Sequence, residues 1–142
     1  MTIATITTDI NIGPFKIPSN GQNMIMNNYA SRNNLSVELI IPEPMMSNSL
    51  ATTQWIHKKR KLSKVILSSI YQLPMKTNRI EELLINMEDV EFHFALEGIS
   101  GKGKIFLLKK IKEVKMFMKT EIIDSTKLSY LDLHKMMSKN RK

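Results

Sequence analysis

Lys64-Val65-Ile66-Leu67-Ser68-Ser69-Ile70 is the most informative segment of the chain for predicting its fold. It is apolar after its first residue, turns polar only at its two serines, and is followed by Leu73-Pro74, where a strand cannot continue. Such a short run predicts a strand that is buried on both faces. Strands of this kind occur almost only in parallel sheets that are covered by helices.

Three further short runs alternate with amphipathic stretches: Thr2–Thr8, Ser36–Ile41 and Val90–Leu96. The amphipathic stretches predict four helices, at about Asn20–Arg32, Leu50–Lys61, from Asn78 onward, and Lys104–Lys119. This alternation predicts an α/β fold, a three-layer sandwich with a mainly parallel four-stranded sheet. We expect residues 1–120 to form this single domain and residues 121–142 to add a C-terminal helical extension with a frayed basic end.

The composition excludes several classes of site. No cysteine is present among the 142 residues, which excludes a disulfide framework and a cysteine nucleophile. No metal motif stands out, so no metal site is predicted, and the cofactor is left unknown. The first 15 residues carry Asp9 and no basic residue, unlike a signal peptide. The longest uncharged apolar run, Val65–Met75, is shorter than the roughly 20 residues that cross a bilayer. We expect a cytoplasmic protein without a membrane span.

The positive charge of the chain is concentrated after residue 57. The net charge is +8, the first 57 residues carry −1, and the remainder therefore carries +9. A basic half attracts nucleic acid, nucleotides or anionic surfaces. Alternatively, the excess of basic residues in this half reflects codon bias. This second interpretation is favoured, because the chain has 17 lysines and only 4 arginines. The run His57–Lys61 has two interpretations as well, a nucleic-acid patch beside Trp55 or solvated charge at a helix end. Nucleic acid is therefore not the expected partner.

The segment Gly98–Lys104 has the first seven residues of a phosphate-binding P-loop and lies between a predicted strand and a predicted helix. The eighth place requires Ser or Thr as a magnesium ligand, and here it is Ile105. We therefore predict a glycine-rich loop that does not belong to a nucleotide triphosphatase. Lys102 or Lys104, together with backbone amides at the helix start, are candidate ligands for a single phosphate.

Polar side chains follow the predicted strands at or near their carboxyl ends, where parallel sheets bind ligands. We expect Glu43, Ser68, Ser69, Tyr71, His93 and Glu97 to converge there, with Glu43, Ser69 and Glu97 in a single water-lined crevice. Glu43 and Glu97 are candidates for the acid and the base, with His93 as a proton carrier. Ser69 and Tyr71 are candidates for orienting the ligand. Because His93 lies within an apolar run, the alternative interpretation is a core histidine whose hydrogen bonds are satisfied internally.

Several segments match the pattern of a known family: Ile17-Pro18, Gln22-Asn23, Tyr29-Ala30, Glu43 with Met46, Ser69 with Leu73-Pro74, Arg79 and His93–Glu97. On these residues the chain resembles the sporadic carbohydrate cluster proteins, a small bacterial family found among surface-polysaccharide genes. The closest match is His93–Glu97, which reproduces the His-Phe-Ala-Leu-Glu of that family. The resemblance covers about residues 3 to 115 and implies a role in surface-carbohydrate biosynthesis.

That family is in turn similar to the catalytic domain of serine recombinases, which implies a resolvase-like or flavodoxin-like order of strands and helices. A serine recombinase carries a nucleophilic Ser with an Arg at the end of its first strand, and further arginines after the third. The corresponding residues here are Thr7-Thr8-Asp9 and Tyr71–Pro74, with Arg79 beyond. A phosphoryl transition state needs such cations. We therefore expect the fold without the DNA chemistry.

The expected function is the binding of a sugar phosphate or nucleotide sugar at the carboxyl ends of the strands, with Lys102 or Lys104 meeting the phosphate. Whether the protein is an enzyme is left open. One alternative is a non-catalytic interaction or homo-oligomerisation module that supports a glycan-biosynthesis enzyme, for which the 11 methionines provide an adaptable surface. A further alternative is a nucleic-acid-binding domain that lacks recombinase chemistry.

Overall fold

Five strands and four helices are present among the residues that the computed structural model describes, which are 2–9, 12, 16–43, 50–74 and 76–117. The strands are β1 (Thr2–Thr8), β2 (Leu39–Glu43), β3 (Leu62–Leu67), β4 (Glu91–Phe94) and β5 (Ile99–Lys102). The helices are α1 (Ser19–Arg32), α2 (Ala51–Lys59), α3 (Thr77–Asn86) and α4, residues 104–111. A short 3-10 helix, Ile70–Gln72, follows β3.

The chain divides into two compact units, residues 1–111 and residues 112–142. In the second unit residues 112–117 are helical. The predicted C-terminal extension, residues 121–142, lies outside the described residues. None of the helices in the described ranges is both long and apolar enough to span a bilayer.

The strands form one sheet in the order β2-β1-β3-β4-β5. The first four are parallel to their neighbours, and β5 is antiparallel to β4. The prediction of an α/β fold with a mainly parallel sheet is therefore confirmed. The predicted number of four strands is wrong, because Gly98–Gly103, which we expected to be a loop, contains a turn and β5.

Glycines explain why β5 was not predicted, since glycine is depleted in strands. Gly98 has a φ of 66° in the turn that enters β5, and Gly103 has a φ of 93° just after it. These conformations favour glycine. Gly101 has a different constraint, because a Cβ at that position would lie 2.4 Å from the ring of Phe106. The same glycines that predict a loop thus permit a sharp turn and a strand that packs closely on α4.

Alternate residues of the central strands face two different helical layers. Val65 and Leu67 belong to the larger apolar core. This core also contains residues of α3 and α4, a residue just before α2, and a partly buried residue of α2 that packs against it. Ile66 belongs to a smaller core with Met26 and other residues of α1. The sheet is therefore the middle of three layers, with α1 on one side and the other helices on the opposite side. Strand β3, which was predicted to be buried on both faces, is therefore covered by helices on both faces.

Strand β2 begins and ends later in the chain than the sequence suggested, because residues 36–38 precede it. We predicted that it would end before Pro42, yet it continues through Pro42 to Glu43, which pair with Thr7 and Thr8 of β1. The physical reason is its place at the edge of the sheet, where β1 is its hydrogen-bonded neighbour. A proline can remain in an edge strand because its missing N–H can face outward.

Two buried glutamine amides hold the carboxyl ends of the central strands. The Gln22 side chain accepts the Thr8 N–H at 2.8 Å and donates to the Thr8 carbonyl at 2.7 Å, which joins β1 to α1. The Gln72 side chain accepts the Ser68 N–H at 2.6 Å and donates to the Ile6 carbonyl at 3.2 Å. These amides satisfy backbone groups beyond the sheet ladder, which would be costly to bury unpaired.

Candidate functional site

The carboxyl ends of the four parallel strands, at Thr8, Glu43, Leu67 and Phe94, define what we call the carboxyl edge of the sheet. The opposite edge, where β3 and β4 begin and the antiparallel β5 ends, is the amino edge. The predicted site residues are distributed over both edges and over both faces of the sheet.

Glu43 ends β2 and caps α2. Its side chain accepts the Thr53 N–H and the Thr53 hydroxyl at 2.7 Å each through Oε1, and the Thr52 N–H at 3.3 Å through Oε2. The residue is only 3 % exposed. A carboxylate suits a helix start because the first amides lack partners and the dipole is positive there. Glu43 therefore stabilises α2, and its predicted role as acid or base stays a prediction.

Ser69, Tyr71 and Glu97 are brought together at the carboxyl edge. Glu97 accepts the Ser69 hydroxyl at 2.7 Å through Oε2 and the Ile70 N–H at 2.8 Å through Oε1. The Ser69 hydroxyl also accepts the Tyr71 N–H at 3.3 Å. Ser69 is buried, whereas Glu97 and Tyr71 are half-buried. Two segments that are distant in sequence thus meet at one carboxylate, which holds the turn after β3 against the turn after β4.

His93 lies in β4 and faces the α1 layer, where its ring is hydrogen-bonded at both nitrogens. Its Nδ1 is 2.8 Å from the Tyr29 hydroxyl and its Nε2 is 3.1 Å from Glu91 Oε2. Lys64 Nζ lies 3.2 Å from the same Glu91 oxygen. His93 is 6 % exposed. This agrees with the interpretation of a core histidine, and a part in proton transfer at the carboxyl edge remains a prediction.

The charges around His93 shift two pKa values. Burial raises the pKa of the Tyr29 hydroxyl, and the negative charge of Glu91 raises it further. Burial would also raise the pKa of Glu91, but hydrogen bonds from His93 and Lys64 and their charges hold it below its ordinary value. The Tyr29 hydroxyl therefore stays protonated and donates a hydrogen bond to His93 Nδ1, while His93 Nε2 donates a hydrogen bond to the ionised Glu91 carboxylate.

Lys102 and Lys104 do not lie at the carboxyl edge. Because β5 runs antiparallel, Lys102 pairs with Glu91 at the start of β4, and Lys104 follows at the start of α4. The expected placement of these lysines at the carboxyl edge is wrong, because the missed β5 carries the chain back to the amino edge. Whether either lysine meets the phosphate of a ligand stays a prediction.

His57 begins the basic run at the end of α2 and is itself buried. Its Nδ1 accepts the Leu62 N–H at 3.0 Å, so the proton is on Nε2, which donates to Asp89 Oδ1 at 3.1 Å. Trp55 is 61 % exposed, and Lys59 Nζ lies 5.9 Å from the centre of its ring. Whether the exposed lysines of this run are a nucleic-acid patch or solvated charge stays a prediction.

Sequence reasoning missed the partners of the two histidines, Tyr29, Glu91 and Asp89. A signal was present for one of them, because residues two apart in a strand share a face and Glu91 precedes His93 by two. The other partners depend on how α1 packs against the sheet and on how the α3–β4 connection, which carries Asp89, meets α2. Within the described ranges, His, Asp and Glu residues form no cluster of three or more that would hold a metal ion.

Comparisons with known proteins identify the fold. No family model and no curated protein matches the chain. The N-terminal catalytic domain of TP901-1 integrase is 10 % identical, with 85 % of this chain and 96 % of that chain covered and a TM-score of 0.56. A resolvase family site-specific recombinase from Streptococcus pneumoniae is 14 % identical, with 100 % and 99 % covered and a TM-score of 0.57. The fold is resolvase-like. At these identities the likeness concerns the fold alone.

Within this fold, the end of β1 carries Thr7, Thr8 and Asp9, where the serine-recombinase pattern has its Ser and Arg. After β3 the first arginine is Arg79, which lies in the first turn of α3 and is half-buried. The chain therefore shares the order of strands and helices with the recombinase domains without the residues that this pattern places at the end of β1.

Proposed function

We propose that this protein acts in surface-carbohydrate biosynthesis in the cytoplasm by binding a sugar phosphate or a nucleotide sugar at the carboxyl edge. The observation that carries the proposal is the Ser69–Glu97 pair, with its hydrogen bond of 2.7 Å. Further support comes from the resemblance of His93–Glu97 to the carbohydrate cluster family. Open α/β sheets in general bind ligands outside the carboxyl ends of their strands.

Glu97 has the chemistry that a sugar requires. Each of its oxygens accepts one internal hydrogen bond, from Ser69 or from Ile70, and an ionised carboxylate has about four acceptor positions in all. The half-exposed side chain therefore keeps capacity for ligand hydroxyls while its orientation is fixed. Glu43 differs, because it is buried and its side chain is directed at α2. In this proposal Glu43 stabilises the structure of the carboxyl edge.

The phosphate of the ligand needs other partners than Lys102 and Lys104. Lys76, which is exposed, and Arg79, which is half-buried, lie at the start of α3, which follows the carboxyl end of β3. The first amides of a helix and nearby cations favour phosphate groups. We therefore assign the phosphate to this end of α3 and the sugar hydroxyls to Glu97.

The proposal is tested by isothermal titration of the purified protein with UDP-glucose and with glucose 1-phosphate. Glu97→Gln keeps the size of the side chain and an acceptor for Ile70 but removes the charge, so we expect ligand affinity to fall about tenfold or more. Glu82→Gln, an exposed position on α3, is the matched control and should bind as wild type. Equal affinity of wild type and Glu97→Gln, or no binding by the wild type, contradicts the proposal.

A second candidate is nucleic-acid binding without strand exchange. It is favoured by the likeness to recombinase domains and by the charge of +9 after residue 57. It predicts that oligonucleotide affinity falls steeply with salt, in proportion to the phosphates contacted. Fluorescence anisotropy at about 50 and 200 mM salt tests it, and weak binding at the lower concentration argues against it. A homo-oligomeric state, which the interaction-module alternative requires, is tested by light scattering.

A further inference from the structure

A cavity of about 500 Å³ opens at the amino edge of the sheet, away from the site proposed above. Its walls come from the start of β3, the start of β4 and the end of β5, and include the neutral Ser63 beside side chains of both charges: Lys61, Lys64, Asp89, Glu91 and Lys102. Its volume lies within the roughly 300–1,000 Å³ that is usual for small-molecule sites. Sequence reasoning did not predict this cavity, because it depends on the return of β5.

The strand register places charges of alternating sign in a row across this cavity. Glu91 pairs with Lys64 on β3 and with Lys102 on β5. Side chains that pair directly across neighbouring strands lie next to each other on one face of the sheet. Lys64 is neutralised by Glu91 at 3.2 Å. Among the described residues, Lys61 and Lys102 form no ion pair, so the cavity has positive charge available for an anion.

Both carboxylates of the cavity are held in place by buried histidines. His57 donates to Asp89 from one side, and His93 contacts Glu91 Oε2 from the other, each at 3.1 Å. Each imidazole is fixed by a second hydrogen bond, from the Leu62 N–H to His57 and from Tyr29 to His93. Glu91 Oε1 has no hydrogen-bond partner among the described residues. The wall thus presents an oriented acceptor next to two available ammonium groups.

We infer that this amino-edge cavity is a binding site for a small phosphate monoester that carries hydroxyl groups. Lys61 and Lys102 bind the phosphate, and Glu91 and Asp89 accept the hydroxyls. The two carboxylates disfavour a continuous run of phosphates such as a nucleic-acid backbone, because like charges would be brought together. A ligand with one anionic end and one hydroxyl-rich end matches both parts of the wall. This inference does not depend on the proposed function at the carboxyl edge.

The test uses glucose 1-phosphate, glucose and inorganic phosphate as probes of the full-length protein, with binding followed by NMR of assigned backbone amides. We expect glucose 1-phosphate to bind more tightly than either other probe and to shift amides of residues 61–64 and Lys102. Lys61→Ala and Lys102→Ala should each weaken binding about tenfold, the effect of one charge-assisted hydrogen bond. Lys109→Ala removes an equal charge from an exposed position on α4 and should leave affinity unchanged.

The outcomes separate the two sites. Shifts at residues 61–64 that persist in Glu97→Gln support the amino-edge site whether or not the carboxyl edge binds. Shifts confined to Ile70, Tyr71 and Glu97, or an equal loss of affinity in Lys109→Ala, overturn the inference. Equal affinity for inorganic phosphate and glucose 1-phosphate overturns it too, because the carboxylates then contribute nothing. Because Lys61 and Lys102 are exposed, their variants should fold, which the same spectra verify.

Discussion

Replacement of Glu43 by alanine should lower the free energy of unfolding more than replacement of any exposed acidic residue. The change removes the carboxylate that accepts the Thr53 N–H at 2.7 Å and leaves this buried amide without its partner. An orphaned buried donor costs about 1–3 kcal/mol, and loss of a negative charge at a helix start costs about 0.5–1 kcal/mol. We therefore expect the free energy of unfolding to fall by about 1.5–4 kcal/mol for Glu43→Ala. For Glu43→Gln, which keeps an acceptor but not the charge, we expect about 1 kcal/mol.

Urea denaturation followed by circular dichroism measures these differences. Glu82→Ala on the exposed face of α3 is the control and should change stability by no more than about 0.5 kcal/mol. A double-mutant cycle with Thr53→Val isolates the hydroxyl contact of 2.7 Å and should give a coupling of about 1 kcal/mol. If Glu43→Ala matches the control, the carboxylate does not hold α2, and its assignment as a structural residue is refuted.

Three further predictions concern the sheet and the His93 cluster. The pKa of Glu91 is lowered in the fold. The free energy of unfolding of wild type should therefore exceed that of Glu91→Gln by the full difference above about pH 4.5, and this difference should disappear as pH falls through the folded pKa. Urea titrations at several pH values measure it. Tyr29→Phe leaves His93 Nδ1 without its partner and should cost about 1–3 kcal/mol, with unchanged stability contradicting this hydrogen bond. Gly101→Ala should cost about 1–3 kcal/mol because its methyl group meets the Phe106 ring, and a smaller residue at 106 should recover part of the loss in thermal melts.

The elements whose hydropathy is locally distinctive were predictable. β3 has an apolar run that both helical layers bury, and α1 was predicted from Asn20 to Arg32, within one residue of Ser19–Arg32. β5 was not predictable in the same way, because Gly101 and Gly103 are typical of loops and the strand is stabilised by its pairing with β4. The continuation of β2 through Pro42 depends likewise on its edge position, which is a property of the whole sheet.

The candidate site shows the same division. The sequence placed Ser69 and Glu97 at the carboxyl ends of two strands, and the structure shows their side chains in contact at 2.7 Å. It also placed Glu43 at such an end, but the direction of that side chain is set by α2, whose first amides lie within reach. Lys102 was assigned to the wrong edge, because a single reversal of direction in β5 moves it to the other end of the sheet.

The pattern of apolar runs predicted that strands and helices alternate, that the sheet is mainly parallel and that polar groups follow its strands. These properties are predictable because they depend on the period and length of apolar runs, which are local. The polar pairs, such as His57 with Asp89 and His93 with Glu91, 3.1 Å apart in each pair, are visible in the folded chain alone. Such pairing depends on strand direction, register and layer packing, which arise from contacts between residues that are far apart in the chain.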